Sequence, residues 1–499
     1  MMMIRILPMQ LKLWTNGELF QTDNHACDPE RFYPSVSTDT RTVLPGEVFI
    51  PLRGDHFDGH HFLMAAIAKG AGLVVVARDA TELDDCFKLL DENDHAPDLL
   101  VVDDTLKAYQ DIARGFRSTL TASVIGVTGS IGKTTTRRMI YQMIKSQVKA
   151  EQSAKNYNNQ VGLPRTILST SLNTQALVAE IGMARKGAIR TLSTISLPDI
   201  AVITRIGMSH AEHIGSMSDI LEEKVSITVG MKDNGLLIVN GGDPMLESWV
   251  VREQPALPVW YIASEHNVGR LERDGIPVFW AEHVRMDRGS LSFIGRSNLT
   301  PEERWPVFLQ VPGLHLVPAV LFGLAVAYAM GLNMQEAAAS AGRYVPTESR
   351  QELIRIGSID VMDDAYNAAP ESLHAALQTA GLLSEDSPRF VAVIGGLREL
   401  GRYSNEAHED IALQLLHAGV DLAFLIGEET KITRDYLLGS QEGTGLFAGW
   451  YASCEDAIPD ILSQLKKDDF LLLKASRYYE LEKITKALRE SQDNEKDRR

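Results

Sequence analysis

Apolar residues fall along the chain in short blocks separated by polar, helix-forming stretches. Ser123–Val127, Ala176–Glu180, Ile200–Thr204 and Leu236–Val239 are blocks of this kind, with the length and composition of buried strands. Their alternation with helical segments predicts a parallel sheet covered by helices on both faces. Upstream, Gly46–Leu52 and the blocks Leu73–Ala77 and Leu99–Val102 read as strands, and Phe62–Gly70 as a helix closed by glycine. The span 250–312 is richer in polar and β-type residues and predicts a β excursion, after which a helix over His315–Met330 ends at Gly331. Val361, Phe390–Ile394, Leu422–Ile426 and Phe470–Leu473 repeat the α/β rhythm.

At 499 residues the chain exceeds one hydrophobic core, and roughly 100–200 residues per domain implies three. The expected domains are 1–118, 119–344 and 345–499. No run reaches the ~18 apolar residues of a membrane span. The opening MMMIRILPMQLKLW has no long apolar core or small-residue cleavage site and reads as part of the fold. Cys27, Cys86 and Cys454 are odd in number and scattered, without metal or disulfide spacing, which suits a reducing cytoplasm. A formal charge of −17 argues against nucleic acid as partner, but a few local cations still allow an anionic small substrate.

The chemistry gathers where Ser123–Val127 runs into Thr128-Gly-Ser-Ile-Gly-Lys-Thr-Thr135 and a helix. Glycines 126, 129 and 132 before Lys133 and Thr134 form a variant of the G-x-x-x-x-G-K-[ST] phosphate loop. Glycine lets backbone N–H groups close on phosphate oxygens, and the helix N-terminus adds a favourable dipole. Lys133 is expected to reach the β- and γ-phosphates and Thr134 to hold Mg²⁺.

This loop resembles that of the Mur ligases, and further motifs follow in order. Ser37-Thr-Asp-Thr-Arg41 with Phe57-Asp-Gly-His60 is similar to the N-terminal, uridine-nucleotide-holding domain of the D-alanyl-D-alanine-adding branch. Tyr157–Pro164, Ala179–Met183, Asp199–His210, Asp363–Pro370, Leu397–Gly401 and Lys474–Arg477 match other family segments. The resemblance implies an α/β fold of three domains: a smaller N-terminal substrate domain, a central phosphate-loop domain with a parallel sheet, and a Rossmann-like C-terminal domain.

It also implies ATP and Mg²⁺, with Lys133, Glu180, His210 and Lys224 catalytic. Thr134, Glu180, His210 and a carbamylated Lys224 would be the metal ligands. Gly129, Ser130, Gly132, Lys133, Thr134, Thr135, His315, Arg350, Asp364, Tyr366 and Asn367 would hold ATP. Ser37, Thr38, Asp39, Arg41, Asn158, Asn159, Arg398, Glu399 and Ser476 would hold the substrates. These are a uridine-nucleotide-linked muramyl tripeptide and D-alanyl-D-alanine, joined by a monomeric enzyme of peptidoglycan precursor synthesis.

Taken alone, Glu180 reads as a surface charge, His210 as a core or capping group, Lys224 as a solvated lysine beside Glu222 and Glu223, and Arg350 as a surface arginine. The chain also departs from the family. Ile131, Leu316, Ala319 and Ala369 stand where asparagines are usual, and Ala475 where glycine is. Those positions favour an alternative, a paralogue joining another acid and amine. A nonenzymatic nucleotide-binding protein is the third reading, and the retention of Lys133, Thr134, Glu180, His210, Lys224 and Arg350 together speaks against it.

Overall fold

The computed structural model describes residues 5–497 except 55, 155, 265, 266, 274, 347 and 348. Three sheets follow one another along the chain. The first orders its strands Glu18–Phe20, Asp98–Val102, Leu73–Ala77, Val48–Phe49 and Val36–Ser37. All its pairings are parallel except that of Glu18–Phe20 with Asp98–Val102. The expected strand over Gly46–Leu52 shortens to Val48–Phe49 because Pro51 lacks an N–H for a ladder. The expected helix at Phe62 begins as a 3₁₀ turn, Gly59–Phe62, and becomes α-helical over Leu63–Ala68.

The helix Thr105–Thr119 leads from this sheet to the second. Its Arg117 is buried, pairs with Asp199 at 2.8 Å and donates to the carbonyls of Ser196, Leu197 and Leu120. A buried cation with this many acceptors fixes the helix against the central sheet.

The central sheet has nine strands in the order Trp305–Leu309, Leu291–Ser297, Val278–Met286, Val259–Ala263, Leu236–Asn240, Ile200–Ile203, Ser123–Thr128, Ala176–Glu180 and Ala150–Gln152. It is parallel from Ala150–Gln152 through Val278–Met286. The last two strands are antiparallel, a correction to the purely parallel expectation. The span 250–312 thus extends the main sheet. Leu291–Ser297 alternates buried and half-buried positions, as an antiparallel strand covered on one face does. The apolar helix Leu316–Ala329 packs over this region, its Phe322 and Leu324 buried in one core with Met143 and Phe293. Leu316 and Ala319 are core positions there, which accounts for their apolar character.

The third sheet orders Glu352–Ile356, Ile359–Asp364, Phe470–Lys474, Phe390–Gly395, Leu422–Ile426 and Phe447–Tyr451, parallel except at its first pair. No helix among the described residues is long and apolar enough to cross a membrane.

Candidate functional site

In open α/β sheets, ligands bind beyond the carboxyl ends of the strands, where strand order reverses. Three adjacent central strands meet that condition: Ser123–Thr128 lies between Ile200–Ile203 and Ala176–Glu180. Their carboxyl ends carry the phosphate loop, the segment running to His210, and Glu180 respectively.

The loop is shaped by close approach. Gly129 has φ +145°, and a Cβ there would sit 2.0 Å from Thr204 Oγ1; Gly132 has φ +82°. Gly129→Ala is expected to cost roughly 1–3 kcal/mol through backbone strain and to weaken nucleotide binding. Thermal denaturation and ADP titration check both effects. After Gly132 the helix Lys133–Ile144 begins, so its first N–H groups point into the loop.

Lys133 Nζ donates to the carbonyls of Gly129 (2.7 Å) and Ser130 (3.0 Å). Burial pushes its pKa down to about 8, against the opposing pull of Glu180; Arg350 lowers it further. Glu180 is 2% exposed, so its reading as a surface charge does not hold. Its carboxylate accepts from Thr134 Oγ1 (2.9 Å) and Asn158 Nδ2 (2.9 Å), and Arg137 Nε lies 3.4 Å away. Arg137 also donates to the Ser153 carbonyl, while Ser153 Oγ accepts the Glu180 N–H.

Lys224 is 0% exposed, not a solvated lysine, and its Nζ has no hydrogen-bond partner among the described residues. Burial above all, and the nearby Lys133 cation, hold its pKa well below the ordinary 10.5. Neighbouring Glu223 turns away and accepts the N–H groups of Gly187 and Ile189. A neutral amine is the form able to attack CO₂, so the environment suits carbamate formation.

His210 adopts φ +63°, and its Nδ1 meets Glu399 of the C-terminal domain at 2.5 Å. It therefore faces a carboxylate across the domain boundary, and Glu399, expected at the acceptor, is engaged there too. His210 joins the loop through its neighbour Ser209, whose Oγ donates to Ser130 O at 3.4 Å. Among the described residues no three His, Cys, Asp or Glu side chains gather as a metal-holding group. Thr134 and Glu180 nevertheless present two hard oxygen donors in contact, the chemistry Mg²⁺ prefers.

A second group forms where the central and C-terminal domains meet. His315 is held neutral, its pKa pushed down to about 4 by burial and by Lys474, and its Nδ1 has no hydrogen-bond partner among the described residues. Lys474 pairs with Asp364 at 2.7 Å and donates to Asn367 O at 2.9 Å. The Arg350 guanidinium lies 4.2 Å from the Tyr366 ring centre, within cation–π range. These residues could clasp a base and ribose while Arg350 faces the phosphates. Ser130 Oγ donates to Gly207 O, and Thr135 contacts Tyr344.

The remaining expected residues lie at the two flanks. Ser37 Oγ donates to Asp39 O, and Arg41 grips Asp39 through Nε (2.9 Å) and a terminal nitrogen (2.7 Å), pulling that carboxyl down to about 2. Thr38 lies between them in the same half-buried turn. Arg165 of the central domain also acts on Asp39 and stands 5.2 Å from the Tyr157 ring, next to Asn158. Asn159 Oδ1 accepts the N–H groups of Val161 and Gly162, a turn-forming role. His60 is buried, its Nε2 accepting the Ala77 N–H, so the Phe57–His60 motif shapes the fold of the first domain. In the C-terminal domain Arg398 pairs with Glu429 at 3.2 Å and stacks over Tyr478, while Ser476 Oγ accepts the Arg398 N–H.

Sequence reasoning missed Arg137 and Arg165, and gave Lys474 only as part of a family segment without a role. Arg137 had a readable signal: it stands three residues after Thr134 and so shares its helix face.

Comparison with known proteins adds three family matches in order. Residues 33–117 match the Mur ligase family catalytic domain, 127–327 the Mur ligase middle domain and 349–477 the Mur ligase glutamate ligase domain. The UDP-N-acetylmuramoyl-tripeptide--D-alanyl-D-alanine ligase of Bacillus subtilis is 32% identical, over 91% of this chain and 93% of its own. The Escherichia coli protein of the same name is 26% identical over 98% and 99%. In structure, MurF from Acinetobacter baumannii matches with a TM-score of 0.82 at 24% identity, covering 98% and 99% of the two chains. MurF from Thermotoga maritima in complex with ADP matches at 0.74 and 23% identity, covering 92% and 98%. These structural likenesses bear on the fold.

Proposed function

This chain belongs to the Mur ligase family, and on that footing we propose an ATP-dependent amide ligase that adds D-alanyl-D-alanine to UDP-N-acetylmuramoyl-tripeptide. One observation carries the chemistry: Lys133, Thr134, Asn158, Glu180 and Lys224 converge beside a phosphate loop at the carboxyl ends of adjacent parallel strands. The substrate assignment leans on the names of the relatives and on motif order.

Joining a carboxylate to an amine in water is uphill, so the carboxylate must be activated. Its oxygen attacks the γ-phosphorus of ATP, ADP departs, and an acyl phosphate forms. The amine then attacks the acyl carbon, loses a proton, and phosphate leaves. Such chemistry depends on positioning and charge neutralisation. Lys133 and Arg350 supply cations to the phosphates, and the Asn158 amide, turned into the same site, orients the acyl group. Thr134 and Glu180 would hold Mg²⁺, with Lys224 as a carbamate; the metal when bound offsets triphosphate charge. His315, Asp364, Tyr366 and Asn367 clasp the nucleoside. The Ser37–Arg41 turn faces the uridine nucleotide, and Arg398, with a planar fork suited to carboxylates, receives the dipeptide. Dependence on ATP makes the cytoplasm the place of action.

Phosphate release measured over candidate acid and amine pairs tests this. Strong dependence on both the muramyl tripeptide and D-alanyl-D-alanine is expected. Turnover with another pair, and none with these, would reassign the chain to a different pathway.

A further inference from the structure

The strap Thr204–His210 leaves the strand Ile200–Ile203 and touches two bodies at once. On one side it grips the phosphate loop. Thr204 Oγ1 donates to the carbonyls of Thr128 and Ile131, Arg205 O accepts the Ser130 N–H at 2.7 Å, and Gly207 O accepts Ser130 Oγ at 2.9 Å. Ser209 Oγ reaches Ser130 O, the same carbonyl that accepts Lys133 Nζ.

On its other side the strap is fastened to the C-terminal domain. Glu371 Oε1 accepts the Met208 N–H at 3.1 Å, and the Met208 side chain packs against that domain's core. Glu371 stands in the first turn of the helix Pro370–Ser384, where the helix dipole favours a carboxylate. A Cβ on Gly207 would lie 2.5 Å from Glu371 Oε1, so glycine is what lets the carboxylate reach the strap. The other oxygen, Oε2, is buried without a hydrogen-bond partner among the described residues. Burying half a carboxylate unpaired costs free energy, and its place at the strap points to a docking role.

We infer that Glu371 is a positioning residue for the phosphate loop. It docks the C-terminal domain onto the strap, and through Ser130 that docking sets where the Lys133 ammonium stands. Docking of the C-terminal domain then tunes the loop for transfer, and nucleotide in the loop favours that docking. The inference rests on the loop holding ATP, as the ligase reading requires, but not on which acid and amine are joined.

The test uses the full chain with ADP and magnesium, read by hydrogen exchange, alongside steady-state phosphate release. In the unaltered protein ADP should slow exchange in 129–136, 204–210 and 370–384. In Glu371→Ala the protection of 129–136 should remain while that of 370–384 is lost. Its kcat should fall about tenfold or more, with a smaller rise in KM for ATP, because a domain that nucleotide draws in also favours nucleotide by the same factor. Glu371→Gln keeps an acceptor oxygen for the Met208 N–H and should restore most of both. If the alanine variant fails to fold, Glu371→Asp, one methylene too short to reach Met208, takes its place with the same expectation. Unaltered protection of 370–384 and unaltered kcat in the variant would overturn the inference, as would a glutamine variant as impaired as alanine. Absence of protection at 129–136 in the unaltered protein would instead overturn the ATP reading itself.

Discussion

Lys133→Ala should lower kcat/KM for phosphate release by on the order of 10³-fold, the scale for removing a preorganised group that meets charge developing in a transition state. The ammonium lies against the carbonyls of Gly129 and Ser130, so it is held inside the loop before any phosphate competes for it. Truncation frees those carbonyls at about 1 kcal/mol each but also removes a cation that burial disfavours, so melting should move little. The lowered pKa adds a second signature. With its pKa near 8, the free enzyme loses this cation as pH rises through that value. The profile of kcat/KM, which reports free-enzyme groups, should bend down there, and the residual activity of the alanine variant should not. Equal activity of the two proteins at pH 7 would remove Lys133 from the chemistry.

The phosphate loop was legible because glycine spacing, a β block before it and Lys-Thr-Thr after it are local signals, and the structure keeps them local. The strand cores were legible for the same reason. Taken without the family resemblance, Lys224 reads as solvated because Glu222 and Glu223 beside it look like an exposed face. Glu223 is in fact buried against the backbone of Gly187 and Ile189, a contact across 34 residues or more that periodicity does not encode. The pairing of His210 with Glu399 spans 189 positions and two domains, and Glu371 meets Met208 across 163. Such contacts are set by how whole domains dock. The antiparallel end of the central sheet escaped notice because burial alternation in Leu291–Ser297 marks a strand without giving its direction.

Lys224→Met separates what the buried amine costs the fold from what it gives the reaction. Methionine is unbranched, of similar reach, and adapts to irregular apolar space. Replacing a buried nitrogen without a hydrogen-bond partner should recover about 1–3 kcal/mol, and for a domain of this size each kcal/mol is worth roughly 2–4 °C in Tm. The sign with pH follows from protons. The folded chain holds the amine neutral below its ordinary 10.5, while the unfolded chain binds a proton there. Stability of the unaltered protein therefore rises with pH from the folded pKa up to that value, and the methionine variant lacks this slope. Activity should move the other way, falling about 100-fold or more, as for loss of a group that holds a metal site in order. The neutral amine adds to CO₂ and releases a proton, turning a would-be cation into an anion near Lys133. Activity of the unaltered enzyme should accordingly fall in CO₂-free buffer and return with bicarbonate, whereas the variant should ignore both. A methionine variant that is more stable and fully active would leave the buried amine without a catalytic role, and one that is less stable would mean that its nitrogen has a partner in the folded chain.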